Sequence, residues 1–197
     1  MTPPLVHAGL ITAAGASRRM GSPKALLPLP AGTPLAAHQA ALLTQAGCDP
    51  VTIVIGAAAE HLQTALAACP LTVNPRWQEG RITSVIAGLK KLWPFYGCVI
   101  MPVDAVGITQ ATIALVCAEA ARGDHSVIRP TYHTQPGHLV WISSSIAKQL
   151  IETRLPPDTP LNEWLAPYTH ELECTDPGLI RNINTAQEWA AFVQTLS

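Results

Sequence analysis

Charge is scarce in this 197-residue chain: Asp, Glu, Lys and Arg together make up 13%, and the formal net charge is -1. Nucleic-acid binders usually carry a clustered basic face, and this balance provides none. An acidic ligand must therefore be held by local cations or backbone amides. Paired cysteines are also missing. Cys48, Cys69, Cys98, Cys117 and Cys174 are scattered, odd in number and without a C-x-x-C pair, which argues against a disulfide framework or a structural zinc site. Met1-Thr2-Pro3-Pro4 lacks the basic n-region and long apolar run of a signal peptide, and no stretch reaches the length of a transmembrane helix. The chain is expected to be soluble and cytoplasmic, with neither nucleic acid nor membrane as partner, and a monomer or small homo-oligomer. The seven histidines show no metal-ligand spacing, and Trp77, Trp93, Trp141, Trp164 and Trp189 are too dispersed to form a stacking platform. Neither the G-K-[ST] ending of a P-loop nor a G-x-S-x-G elbow occurs, and the missing G-x-G-x-x-G argues against a dinucleotide-binding oxidoreductase.

What is abundant is apolar: 48% of residues are hydrophobic, enough for one domain, residues 1–197, with a substantial core. The run from Leu5 to Ile11 reads as a first buried strand. Thr33-Pro34 opens a helix over 35–46, which Gly47 closes. The β-branched run 51–55 is the clearest strand. A helix over about 60–68, a strand at 71–73 and a helix near 82–92 follow. Residues 98–101 form another strand, Thr109 caps a helix running to Arg122, and shorter strands lie around 127–128 and 139–142, joined by a turn-rich stretch from Pro130 to Gly137. Thr185 and Glu188 make a capping box that starts the last helix. This alternation implies an α/β fold, a three-layer α/β/α arrangement with a mainly parallel, Rossmann-like sheet. Such sheets bind ligands beyond the carboxyl ends of their strands.

Two segments fall there. The loop from Ala13 to Lys24 combines small residues with Arg18, Arg19 and Lys24. Small side chains let backbone N–H groups approach phosphate oxygens, and the cations neutralise them. On its own the loop fits equally well a flexible Gly/Ser turn with exposed basic residues. Asp104 follows the strand that ends at Met101, where a carboxylate suits Mg²⁺, which takes one or two protein ligands and fills the rest with phosphate and water. On spacing alone it is also an ordinary turn aspartate. Asn74, Gly80, Ser84, Asn182 and Asn184 read equally as loop, helix-surface or cap residues, and His138 as a structural histidine.

In order, residues 11–24 (ITAAGASRRMGSPK) resemble the signature of the molybdopterin nucleotidyltransferase group of the nucleotide-diphospho-sugar transferase superfamily. Asn74-Pro75-Arg76-Trp77-Gln78-Glu79-Gly80 with Ser84 and Gly88-Leu89 resembles a second block. Pro102-Val103-Asp104, Gly137-His138 and Asn182-Ile183-Asn184-Thr185 resemble the remaining ones. The resemblance implies attack by a phosphorylated acceptor on the α-phosphorus of a nucleoside triphosphate, with pyrophosphate leaving. It implies that Ala13, Ala14, Gly15, Ser17, Arg19 and Lys24 hold the triphosphate, Arg19, Lys24 and Asp104 serving catalysis. Asp104 and Asn184 would coordinate Mg²⁺, Asn74 and Ser84 lie near base and ribose, and His138 would approach the acceptor. Thr12-Ala13-Ala14-Gly15 is more similar to the molybdenum cofactor cytidylyltransferases than to their guanylyl relatives, favouring CTP, with molybdopterin as acceptor. GTP, a sugar or polyol phosphate acceptor, and nucleotide binding without turnover are the alternatives. Val106 stands where the family usually has proline, implying a less rigid turn. Asn184 stands where a second carboxylate is common, Leu139 follows Gly-His in place of proline, and residues 156–164 depart from the acceptor-side pattern.

Overall fold

The computed structural model describes residues 6–196. Met1–Leu5, and with them the start of the expected first strand, lie outside these. Strand β1 (His7–Thr12) is followed by α1 (Leu35–Gln45), β2 (Cys48–Ile55), α2 (Ala59–Ala65), β3 (Leu71–Val73), α3 (Arg81–Leu92), β4 (Gly97–Pro102) and α4 (Gln110–Ala121). Then come β5 (Val127–Tyr132), β6 (Gln135–Pro136), β7 (Val140–Ser143), α5 (Ser144–Glu152), α6 (Leu161–Leu165), β8 (Thr169–Glu173) and α7 (Ala186–Gln194).

The sheet runs β3-β2-β1-β4-β7-β5, with β6 and β8 both paired to β5. Strands β3, β2, β1 and β4 are parallel, Leu10 facing Thr52 on one side and Ile100 on the other. Beyond β4 the direction changes: β7 runs antiparallel to both β4 and β5, and β8 is parallel to β5. The sheet is therefore mixed, its parallel half carrying the expected Rossmann-like character. Alternation along each strand divides the core between two helix layers. Leu10, Val54 and Ile100 pack with Val85 and Leu89 of α3 and Ile146 of α5. Ile11, Ile53 and Met101 pack with Leu43 of α1 and Ile113 of α4. Gly88 lets α3 lie close, because a Cβ there would meet Leu10 Cδ1 at 2.2 Å.

Four elements went unread in the sequence: α5, α6, β8, and β6 within the expected turn. β7 passes into α5 without a connecting residue, so no turn signal separates them; Ser143 caps α5 by accepting from Ile146 N at 3.4 Å. Strand β8 (THELE) has no fully buried residue and so no apolar pattern, and α6 has five residues. The stretch from Pro130, expected as turn, begins as strand. Ile128 faces Trp141 while Thr131 faces Pro136, three steps along β5 against five along its partner. The two extra residues bulge out around Gly137 and His138. The same break accommodates Pro130, which lacks an N–H for a continuous ladder. The second helix ends at Ala65, short of the expected Ala68. The capping box is formed: Glu188 N donates to Thr185 Oγ1 and Thr185 N to Glu188 Oε2. Among the described residues no helix is long and apolar enough to cross a membrane. All five cysteines are free, and burial pushes the Cys98 thiol above its ordinary value.

Candidate active site

A cleft of about 890 Å³ opens at the carboxyl ends of β1 and β4. Its floor begins where β1 stops. Ala13 N donates to Val54 O at 2.8 Å, Val103 N to Thr12 O at 3.0 Å, and Ala57 N to Ala14 O at 2.9 Å. These bonds carry the sheet's order into the loop. The loop then turns at Ser17, in left-handed conformation with φ +48°. Met20 N donates to Ser17 O at 2.9 Å, and Met20 itself is buried. Ser17 Oγ accepts from Lys24 N at 3.2 Å, closing the turn. A buried apolar anchor and these bonds define an ordered cradle, not a slack Gly/Ser turn. Ala13, Ala14, Gly15, Ser17, Arg18, Arg19 and Lys24 all line the cleft.

Asp104 comes from the turn after β4, and Asn184 from the segment before α7. Ile183 N donates to Asp104 O at 2.9 Å, and Val106 N to Arg181 O at 3.2 Å. A bridge between Ala105 and Asn182 completes this short antiparallel seam. From beneath, buried Gln39 of α1 donates Nε2 to Ala105 O at 2.7 Å and to Val103 O at 3.2 Å. The turn is therefore tightly held, contrary to the looseness expected from the absent proline: buried Val106 supplies an N–H that proline lacks.

On this platform the charges meet. Lys24 Nζ lies 3.0 Å from Asp104 Oδ2 and 3.0 Å from Asn184 Oδ1. Arg19 Nη2 also reaches Asn184 Oδ1, at 3.2 Å. Two oxygens, one anionic and one amide, thus face a single cationic position. An all-oxygen donor set at the edge of the cleft fits Mg²⁺, which takes one or two protein ligands and fills its remaining positions with phosphate and water. The neutral Asn184 fits more weakly than a second carboxylate.

Ser84, in α3, lines the cleft; Asn74 does not. Asn74 is buried, donates Nδ2 to Thr83 Oγ1 at 2.9 Å and Ser84 Oγ at 3.0 Å, and accepts from Arg76 N at 3.0 Å. It holds Ser84 in place without reaching the cleft itself. His138 lies exposed on the far wall, in the bulge beside Gly137, its backbone N–H donating to Leu179 O at 2.8 Å. That wall also contains Arg129 on β5 and Arg81 at the start of α3, which the sequence did not single out, and Asp158 to Asn162, from the stretch that departs from the acceptor-side pattern. Gly80 packs directly beneath that segment, since a Cβ would fall 1.7 Å from Pro157 O. The only available signal for Arg129 was a cation two residues after Val127 in an apolar strand. The histidines also converge more than their spacing suggests. His125 and His170 stack at 3.6 Å, and with Glu119 their ligand atoms lie within 4.8 Å of one another. None of the three lines the cleft.

Comparison with known proteins agrees with this geometry. The sequence matches the family model described as a MobA-like NTP transferase domain over residues 9–172. It is 33% identical over 108 residues to nicotine blue oxidoreductase of Paenarthrobacter nicotinovorans, covering 53% of this chain and 52% of that protein. The match thus spans about half the length of that relative. Rv0371c of Mycobacterium tuberculosis H37Rv superposes with a TM-score of 0.76 at 21% identity, over 96% of this chain and 98% of that one. Molybdopterin-guanine dinucleotide biosynthesis protein A of Archaeoglobus fulgidus gives 0.75 at 16% identity, over 96% and 98%. At these identities the two structures establish the α/β fold. The family match covers most of the chain and every cleft segment up to Asn162, and the protein belongs to the MobA-like NTP transferase domain family.

Proposed function

We propose that residues 1–197 form one cytoplasmic nucleotidyltransferase domain that transfers CMP from CTP to a phosphorylated acceptor, with molybdopterin the favoured acceptor, and releases pyrophosphate. The observation that carries this reading is the convergence of Lys24 Nζ, Asp104 Oδ2 and Asn184 Oδ1 within 3.0 Å contacts at the mouth of an ordered small-residue loop. In this reading an acceptor phosphate oxygen forms a bond to the α-phosphorus of CTP. The bond from that phosphorus to the β-bridging oxygen breaks, and its electrons leave with pyrophosphate. A phosphate dianion needs no general base, so the protein's task is positioning and charge compensation. Backbone amides around Ala14, Gly15 and Ser17 cradle the triphosphate, and Arg19 and Lys24 neutralise it. Mg²⁺ held by Asp104 and Asn184 would offset charge on the triphosphate as pyrophosphate departs. The Mycobacterium tuberculosis neighbour has also been determined as a complex with manganese, which supports a divalent cation in this fold. Ala14, buried and in the cleft lining, carries a methyl that a glycine would lack, which favours a pyrimidine over the bulkier purine.

The test is pyrophosphate release from CTP with molybdopterin, with GTP and with sugar or polyol phosphates run in parallel. Asp104→Ala should lower the rate by about a hundredfold or more while leaving the melting transition cooperative. Full activity in that variant sinks the metal assignment. Binding of CTP and GTP with no pyrophosphate release from any acceptor points to a protein without turnover. The relative named as an oxidoreductase motivates one further arm, a nicotinamide cofactor in the same thermal-shift panel. Stabilisation by that cofactor and not by CTP or GTP would overturn the proposal.

A further inference from the structure

The cleft's cations differ in how they are occupied; Arg18, on the loop side, is exposed to solvent and makes no side-chain hydrogen bond among the described residues. On the loop side, Lys24 and Arg19 have oxygen partners in Asp104 and Asn184. On the β5 side stands Arg129, for which no side-chain hydrogen bond is made among the described residues. Among the described residues its Nε is one of two buried side-chain polar atoms left without a partner; the other is Gln39 Oε1.

Its location follows from strand alternation. Val127 and Arg129 point to the same face of β5. Val127 is fully buried in the apolar cluster beneath α3 and α5, with Val140 and Ile142. Two residues further on, that cluster gives way to the cleft, and Arg129 is half-buried on its wall beside Val140, Gly137 and His138. A guanidinium carries five donors and stays charged, so placing one at the edge of an apolar layer without an acceptor is costly. The obvious internal partner is Glu171, level with Arg129 on β8. Its carboxylate is exposed, and the pair is absent from the ion pairs of the described residues. Burial pushes the Arg129 guanidinium down from its ordinary value, with the charge of Glu171 pulling the other way. The fold thus presents a fork of donors at a cleft wall and leaves them unused.

We infer that Arg129 anchors the acceptor by gripping its phosphate monoester group, across the cleft from the cations that hold the triphosphate. This rests on the nucleotidyltransferase reading above. An anionic nucleophile approaching an anionic triphosphate must be charge-compensated, and Arg19 and Lys24 serve the triphosphate. A planar fork binds two phosphate oxygens side by side, which fixes the direction of the third. That third oxygen forms the bond to the α-phosphorus, and pyrophosphate leaves as already described. Arg81 also reaches the cleft but is exposed, where solvent weakens its hold on an anion.

The probe is phenyl phosphate, titrated calorimetrically into the whole protein, alone and with Mg²⁺ and an α,β-methylene analogue of CTP. Arg129→Gln should weaken phenyl phosphate binding by about ten- to a hundredfold, with affinity for the CTP analogue unchanged within about twofold. In turnover the acceptor KM rises and the CTP KM does not. Arg129→Lys, which keeps the charge and loses the fork, should fall between wild type and Arg129→Gln; it also serves if the glutamine variant does not fold. Equal phenyl phosphate affinity in all three proteins overturns the inference, as does parallel weakening of both ligands. Failure of wild type to bind the CTP analogue, with phenyl phosphate still lost in Arg129→Gln, overturns the nucleotidyltransferase reading and leaves the anion anchor standing.

Discussion

Replacing Gln39 by leucine tests whether the metal-side turn is held from below. Gln39 is 2% exposed, and its Nε2 is the side-chain donor to both Val103 O and Ala105 O, the carbonyls on either side of Asp104. Leucine keeps the bulk and removes both bonds. At about 1 kcal/mol net each, the loss is about 2 kcal/mol. Two terms reduce it. Gln39 Oε1 has no partner, so removing it relieves a buried acceptor worth about 1 kcal/mol. The adjoining cavity of about 350 Å³, lined by Leu35, Val106 and Phe192, can also admit water to the freed carbonyls. The expected net cost is about 1–2 kcal/mol, a fall in Tm of about 2–8 °C for a chain of this size. Stability is the smaller consequence. With the support from α1 gone and the seam to residues 181–183 left to hold Asp104, half-saturation by Mg²⁺ in nucleotide binding should rise by roughly tenfold, the range seen when groups supporting metal ligands are removed. Calorimetric melting measures the first effect, and Mg²⁺ titration of CTP binding the second. A Tm within 1 °C of wild type together with an unchanged Mg²⁺ titration would refute the reasoning, since neither bond could then be shaping the turn.

Gly56→Ala places a methyl 2.5 Å from Trp77 Cβ, and Trp77 is among the residues that line the cleft. The ring must move, so tryptophan emission should shift and the nucleotide KM should rise several-fold; unchanged emission contradicts the packing argument. Asp176 accepts from Thr112 Oγ1 at 2.6 Å, Thr109 N at 2.8 Å, Thr109 Oγ1 at 2.9 Å and Gly178 N at 2.9 Å. Burial pushes its carboxyl up, but these hydrogen bonds together hold it below the ordinary carboxylate range. A lowered folded-state pKa gives stability that is present above the unfolded value of about 3.9 and lost as pH falls through the folded one. Asp176→Asn should therefore cost about 1–3 kcal/mol near neutrality, and its deficit should shrink below about pH 4. A deficit independent of pH would rule out the charged carboxylate as its source.

The parts of this fold legible in sequence share a physical property: their signal is local. The loop from Ala13 to Lys24 is one contiguous segment that needs small residues and cations close together, whichever strands flank it. The Thr185–Glu188 capping box and the β-branched run of β2 are likewise complete within a few residues. Asp104 was placed by the single rule that ligands gather at carboxyl ends of parallel strands. Asn184 depends on a seam between residues 104–106 and 181–183, which no spacing rule encodes, and it was found only through family resemblance. Asn74 shows the limit of that route. Its block matched, yet its side chain is consumed by Thr83, Ser84 and the Arg76 amide. His125 and His170 are 45 positions apart in the numbering and stack because β8 pairs with β5.

Arg129 went unread for a related reason, and the sheet explains why. In the parallel half, the carboxyl ends of β1 and β4 deliver loops to the cleft, and the composition of the first announces its chemistry. Beyond β4 only β7 reverses, while β5 and β8 run in the same sense as β4. There, β7 enters the cleft at its amino end, and β5 reaches it with residues still inside the strand. Arg129 is a strand residue, selected by alternation and not by loop composition, so a lone arginine among apolar neighbours is the whole signal. The same division separates the two substrates in the proposed reaction. Contiguous backbone on the parallel half suits a triphosphate, whose shape is common to every nucleotide. Single side chains on the antiparallel half can be exchanged one at a time without disturbing that cradle. On this architecture acceptor choice can change by substitutions at positions such as 129 and 138, while nucleotide binding persists, and a sequence therefore discloses its nucleotide more readily than its acceptor.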